Sequence, residues 1–368
     1  MVDEISAFAI QNQVKVEGDF RLHNIKTSKG GMRFLPSRKF NGMRKIKLAG
    51  MFCLFAIALI AQERTNRDKQ DIELGKVSWY RDYDTALEQS KQKDKPVLIL
   101  FQEVPGCATC RNYGQDVLSN PLLVEAIEDQ FVPLVIHNNK GGKDREVLNK
   151  YKEPTWNNPV VRIVDAQGKN LVKRVSGNYS AIGLYTAMEQ ALEKTYHPIP
   201  EYVQLLGEEL SATKNRGIKE TYFSMYCFWT GEKELGATDG VLLTEAGFMK
   251  GREVVKVTYD EQKISELELE TYARQHDFKP IAKDNSYSWA SNDEDYFLRR
   301  SHFKYLPLSD TQKTKINSAL GKRENAEKYL SPSQHLWLQE IKANKTVKKE
   351  VLYNQSFAQA WGHKSQCP

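Results

Sequence analysis

Residues 97–110 read VLILFQEVPGCATC: five apolar residues, a short polar step and two cysteines three positions apart. An apolar run of that length, entered through Lys95-Pro96, has the pattern of a buried β-strand. Arg111 to Leu118 reads as a helix, so Cys107 stands at or near a helix N-terminus. There, unpaired backbone N–H groups and the helix dipole stabilise a thiolate. Cys107 is thus a candidate nucleophile, with Cys110 one turn further on as its resolving partner. Two other readings of the pair are a metal site and a pair of buried structural thiols. Zinc wants four ligands, and no second CxxC or HxxxH occurs in the chain, so neither a metal nor a cofactor is expected. Buried structural thiols would need neither the Pro-Gly lead nor a helix start.

The surroundings extend the pattern. Tyr80 to Gln92 is a polar helix with Ala86, Leu87 and Ser90 at helical spacing, and Phe131 to Ile136 is a second buried strand. Pro159 directly precedes a third strand ending at Asp165, and Gln167-Gly168 turns the chain into Asn170 to Val175. Residues 76–196 resemble the thioredoxin family, in particular exported members with a WY…AL…KPVLILF lead-in. The VPG before Cys107 is similar to a narrower group in which some members carry selenocysteine at that position. The resemblance implies a thioredoxin-like fold, Cys107 as attacking thiol, Cys110 as resolving thiol, and Pro159 as the cis-proline packed beside the disulfide.

After His197-Pro198-Ile199-Pro200 the composition shifts, and a second domain is expected over 201–305. Thr221 to Tyr226 is strand-like, Gly231 to Leu235 helical, Val241 to Phe248 and Glu253 to Tyr259 are strands, and Ser265 to His276 is a helix. Cys227 stands at another strand-to-helix junction. Cys227-Phe228-Trp229 with Glu232, Asp239-Gly240-Val241 with Thr244 and Gly247, the EVVKVTYD strand from Glu253, and Gln275-His276-Asp277 together resemble peptide methionine sulfoxide reductase A. That resemblance implies attack of Cys227 on a sulfoxide sulfur to give a sulfenic acid, with Phe228 and Trp229 walling the methyl group. It aligns Tyr296 with the family's second tyrosine and offers Cys367, in the tail, as the resolving thiol. The pattern departs from the family at Tyr226 and Phe248, and residues 248–252 leave no segment for its acid glutamate. A non-catalytic second domain that binds and positions a partner is the competing expectation. Residues 306–368 read as a helical C-terminal region with Ser309 and Ser331 as N-caps.

The fold class expected is therefore α/β: a thioredoxin-like domain, then a sulfoxide-reductase-A-like α/β domain with C-terminal helices. Residues 1–61 hold ten Lys/Arg against four Asp/Glu, whereas the remainder holds 43 of each. The net charge of +6 thus lies in the leader, and no nucleic-acid partner is expected. Basic residues 43–47 followed by the uncharged apolar run LAGMFCLFAIALIA (48–61) have the layout of a bacterial secretory signal, too short for a comfortable membrane span. Residues 43–61 are read as a signal peptide or membrane anchor, with Met43 as the start, and 1–42 as an extension or a misassigned start. Cys53 lacks the small residues that precede a lipid-modified cysteine. Export to the periplasm or cell envelope, free or anchored at the inner membrane, leaves four cysteines, too few for a disulfide scaffold. The partners expected are a protein or small-molecule disulfide or sulfoxide substrate and an upstream thiol reductant.

Overall fold

Two sheets organise the chain in this computed structural model, which describes residues 64–212, 217–344 and 350–364. The extension 1–42, the leader 43–61 with Cys53, and Cys367 lie outside the described residues. All described residues belong to one compact unit.

The first half begins with a 3-10 turn at Ile72–Leu74, then α1 (Tyr83–Lys93), β1 (Val97–Gln102), α2 (Ala108–Asn112), α3 (Pro121–Gln130), β2 (Val132–His137) and α4 (Lys143–Tyr151). It closes with β3 (Val160–Val164), β4 (Val175–Ser176), α5 (Ala181–Lys194) and α6 (Glu201–Ala212). The strands lie in the order β2-β1-β3-β4, with β1 parallel to β2 and antiparallel to β3. Every residue of β1 is buried. Leu98 and Leu100 enter the core that contains Trp79, Leu123 and Leu184, while Val97, Ile99 and Phe101 enter the opposite one with Ile136 and Leu148. A strand covered on both faces reads as continuous apolar sequence, which is why VLILF needs no alternation.

The structure revises the expected helix over Arg111 to Leu118. The helix begins earlier, at Ala108, and widens into a π turn over Tyr113–Val117. Gly114 in that turn lies against the backbone of Ile72 and Glu73, where a Cβ would overlap the Ile72 carbonyl oxygen. The expected strand from Asn170 to Val175 shrinks to Val175–Ser176, with Asn170 making one isolated bridge to Val164. Four helices carry no expectation from the sequence: α3, α4, α5 and α6. Of these, α6 follows the expected boundary at residues 197–200 and yet buries Tyr202, Val203, Leu206 and Leu210 in the first core.

The second half comprises β5 (Ile218–Met225), α7 (Phe228–Leu235), β6 (Val241–Met249), β7 (Arg252–Asp260), α8 (Glu266–Gln275), β8 (Lys279–Ile281), β9 (Ser288–Trp289) and α9 (Tyr296–Arg299). Its antiparallel sheet runs β8-β5-β7-β6-β9. Then come α10 (Asp310–Lys322), α11 (Pro332–Ala343) and α12 (Phe357–Lys364). Ser309 and Ser331 head capping boxes with Gln312 and Gln334, as the sequence indicates. Leu338 and Ile341 are buried, with Trp337 packed against their cluster.

Direct contacts tie the halves together. Ser333 donates from its backbone N–H and hydroxyl to the two oxygens of Glu125, at 2.9 and 2.7 Å. Phe357 and Trp361 of α12 pack against the first core, and the Trp361 ring meets Trp337 edge-on at 4.9 Å. Replacing Gly114 with alanine is expected to cost about 1–3 kcal/mol, because a methyl group would have to displace backbone. Denaturant midpoints of the two proteins would measure it; equal midpoints would contradict the tight packing.

Candidate active site

The polypeptide leaves β1 at Gln102 and reaches Cys107 through a fixed loop. Gln102, fully buried, donates through Nε2 to the carbonyls of Glu73 (2.8 Å) and Cys110 (3.1 Å). The Glu73 carboxylate accepts the N–H of Gly106 at 2.8 Å, and Asn139 accepts from the N–H of Val104 at 3.3 Å. Gly106 has no room for a side chain: a Cβ there would sit 2.7 Å from the Cβ of Cys110. Glu73 and Gln102 escaped the sequence reading. Gln102 could have been noticed as the one polar residue continuing a buried strand, whereas Glu73 lies in a polar stretch without a motif.

Cys107 occupies the N-cap of α2 and is exposed, whereas Cys110 is completely buried. Their sulfurs are 3.5 Å apart. The backbone N–H of Cys110 holds the Cys107 thiol below its ordinary range, opposed by partial burial and helped by the Cys110 and Thr109 side chains. Burial, then the adjacent Cys107, pushes Cys110 up to about 12. The Cys110 thiol donates to Asn158 Oδ1 at 2.7 Å. The Asn158–Pro159 peptide is cis, as the resemblance implies, and so is Val104–Pro105, which the sequence reading did not anticipate. One exposed thiol biased toward the thiolate thus stands beside one buried thiol that keeps its proton, so the two differ in reactivity. A carboxylate oxygen of Glu103 also lies within 4.8 Å of both sulfurs, a third potential ligand that the sequence reading did not weigh.

Cys227 stands on the other sheet. It is the half-buried N-cap of α7, and no side chain caps that helix. Phe228 donates its N–H to Glu253 Oε2 at 2.8 Å, so a carboxylate faces the helix start beside Cys227. The sequence reading found no acid for this place and quoted Glu253 only as part of its strand. The register supplies the carboxylate by pairing Glu253 with Met225, two residues before Cys227. Trp229 stacks on Tyr296 with ring centres 4.0 Å apart, and Phe228 meets Phe248 edge-on at 5.6 Å. Phe228, Trp229 and Tyr296 are therefore brought together. Tyr226 is 99 % exposed and fills nothing.

Glu232 is fully buried, and both its carboxylate oxygens accept from the N–H of Asp295, at 3.2 and 3.1 Å. Burial, then the Asp295 charge, raises Glu232 well above the ordinary carboxylate range. Tyr353 places its single hydroxyl 3.0 Å from Glu294 and 2.9 Å from Asp295. One phenolic proton can be given fully to only one of the two carboxyls at a time. Burial, then Glu294, pushes Asp295 up to about 7.

Residues 78–166 match the family described as thioredoxin-like. The "Thioredoxin-related protein DsbJ" of Chlamydia pneumoniae is 25% identical over 101 residues, which are 27% of this chain and 28% of that protein. The chain thus spans little more than a quarter of that relative's length. A solved structure titled "DsbH Oxidoreductase" is 21% identical and covers 37% of this chain and 98% of its own, with a TM-score of 0.29.

The Asp295 shift fixes a pH dependence. A carboxyl raised from 3.8 to about 7 binds its proton more tightly in the folded state than in the unfolded one. The resulting stability is complete below the unfolded value and is lost as pH rises through about 7. Urea midpoints taken at about pH 5 and about pH 8 should differ less in Asp295→Asn than in the parent protein; an unchanged difference would exclude Asp295 as its source. On the sequence match and the element order together, residues 78–166 are a thioredoxin-like domain, within a larger α/β chain that continues through a second sheet and C-terminal helices.

Proposed function

We propose that the protein is an exported thiol–disulfide oxidoreductase, with Cys107 as nucleophile and Cys110 as resolver, coupled to redox chemistry at Cys227. The observation that carries this reading is the asymmetry of the dithiol: an exposed Cys107 held toward the thiolate, 3.5 Å from a buried Cys110 held protonated. The Cys107 thiolate attacks one sulfur of a substrate disulfide, forming a mixed disulfide and releasing the other sulfur as a thiolate. Cys110 then loses its proton and attacks Cys107 Sγ, which frees the second substrate thiol and leaves a Cys107–Cys110 disulfide. Two electrons pass to the substrate, and an upstream thiol reductant restores the dithiol. Export rests on the basic-then-apolar layout of residues 43–61.

Brief alkylation of the reduced protein at neutral pH is expected to label Cys107 and spare Cys110. With Cys110→Ser, a disulfide substrate should stay trapped on Cys107, whereas Cys107→Ser should abolish exchange. Equal labelling of the two thiols, or exchange surviving Cys107→Ser, would refute the assignment.

A second reading is favoured by Glu253 and the aromatic group at Cys227. The Glu253 carboxyl at the helix start, carrying a proton, would give that proton to a sulfoxide oxygen and become a carboxylate while the Cys227 thiolate attacks the sulfur. The products would be a sulfide and a Cys227 sulfenic acid, which condenses with one thiol to a disulfide with loss of water; a second thiol then frees Cys227 and leaves as the oxidised reductant. With dithiothreitol as reductant, turnover of a peptidyl methionine sulfoxide should vanish in Cys227→Ser and fall by about 10²–10⁴-fold in Glu253→Gln. No turnover by the parent protein would reject this reading and leave the second half as a binding unit.

A further inference from the structure

We propose that the reduced dithiol is also a binding site for a thiophilic divalent cation, Zn²⁺ in the first instance, with Cys107 Sγ, Cys110 Sγ and a carboxylate oxygen of Glu103 as its ligands. The three atoms lie within 4.8 Å of one another. Tetrahedral zinc with Zn–S bonds of about 2.3 Å separates two sulfurs by roughly 3.8 Å. The sulfurs here are 3.5 Å apart, so the dithiol needs to open by only a few tenths of an ångström. Zn–O bonds of about 2.0–2.2 Å bring a carboxylate oxygen to roughly 3.6 Å from each sulfur. Glu103 is half-buried on the loop after β1, and its oxygen has to come at most about 1.2 Å closer to the sulfurs to reach that separation.

The second observation is electrostatic. Among the described residues, the Glu103 carboxylate has no hydrogen bond and no ion pair. A carboxylate with no other described partner is open to a cation that also meets the two sulfurs. A proton bridges two atoms; a cation can take up all three. The chain supplies three ligands and leaves the fourth zinc position to water or an incoming thiol, the pattern of an exchangeable rather than a structural site.

Binding releases the thiol protons of the two cysteines and transfers no electrons. Affinity therefore rises with pH. A dithiol so ligated cannot close to a disulfide, which makes zinc and oxidation mutually exclusive occupants of one site.

The test is titration of Zn²⁺ into the reduced full chain against a chromophoric chelator, repeated on the oxidised protein and on Glu103→Gln. One zinc per chain is expected, absent after oxidation, restored by reduction, and weakened about tenfold or more in Glu103→Gln. No binding would overturn the proposal, as would binding that survives oxidation, which would place the ion elsewhere. Affinity unchanged in Glu103→Gln would also overturn it, leaving a dithiol that binds without the carboxylate. Disulfide exchange measured with excess chelator tests the earlier reading separately: zinc binding without exchange would sink that reading and leave this one, and exchange without zinc binding would do the reverse.

Discussion

Along β1 alternate side chains enter opposite cores, and none of the six residues is left to water. A strand held this way cannot slip, because a shift of one residue would exchange the contents of the two cores. The chain leaving it has a fixed position and direction. Gln102 converts that rigidity into a site by tying the end of the strand to the carbonyl of Cys110 and to the turn that carries Glu73. The two thiols consequently differ in environment although only two residues separate them: one faces solvent at a helix start and the other is sealed beneath it.

The second half reaches a similar arrangement with different materials. Cys227 also follows a central strand and heads a helix, but the groups behind it are acidic. Glu232 is anchored to the backbone of Asp295, and Tyr353 links Asp295 to Glu294. Burial and their shared charge raise all three carboxyls above the ordinary carboxylate range. The next residue after Asp295 is Tyr296, whose ring lies on Trp229, so the charge state of this cluster bears on the aromatic wall beside the sulfur.

What the sequence made legible was whatever depends on neighbours along the chain. The apolar run of β1, the Pro-Gly lead, Pro159 before β3 and the Ser-x-x-Gln caps of α10 and α11 are local signals, and each marks its element. The helices α3 to α6 were not anticipated, although Asn120-Pro121 and Ser180 are N-cap signals, because their apolar faces gain meaning only from the cores they cover. Glu73, Glu103 and Glu253 escaped for a related reason. Each is an acid in an ordinary polar or strand context, made a site residue by register or by a loop that returns to the cysteines. Tyr353 is further still, brought to its carboxylates from 58 residues along the chain.

Cys107 sits where a helix usually carries a serine or aspartate cap, and α2 has no other side-chain cap. Linkage makes the relation mutual: if the helix start lowers the free energy of the thiolate, the thiolate lowers that of the helix by the same amount. Turning Cys107 into one half of a disulfide withdraws that negative charge and puts a covalent cross-link across the first turn in its place. Reduction and oxidation thus organise the same turn by different means, a charge at its start in one form and a covalent clip across it in the other.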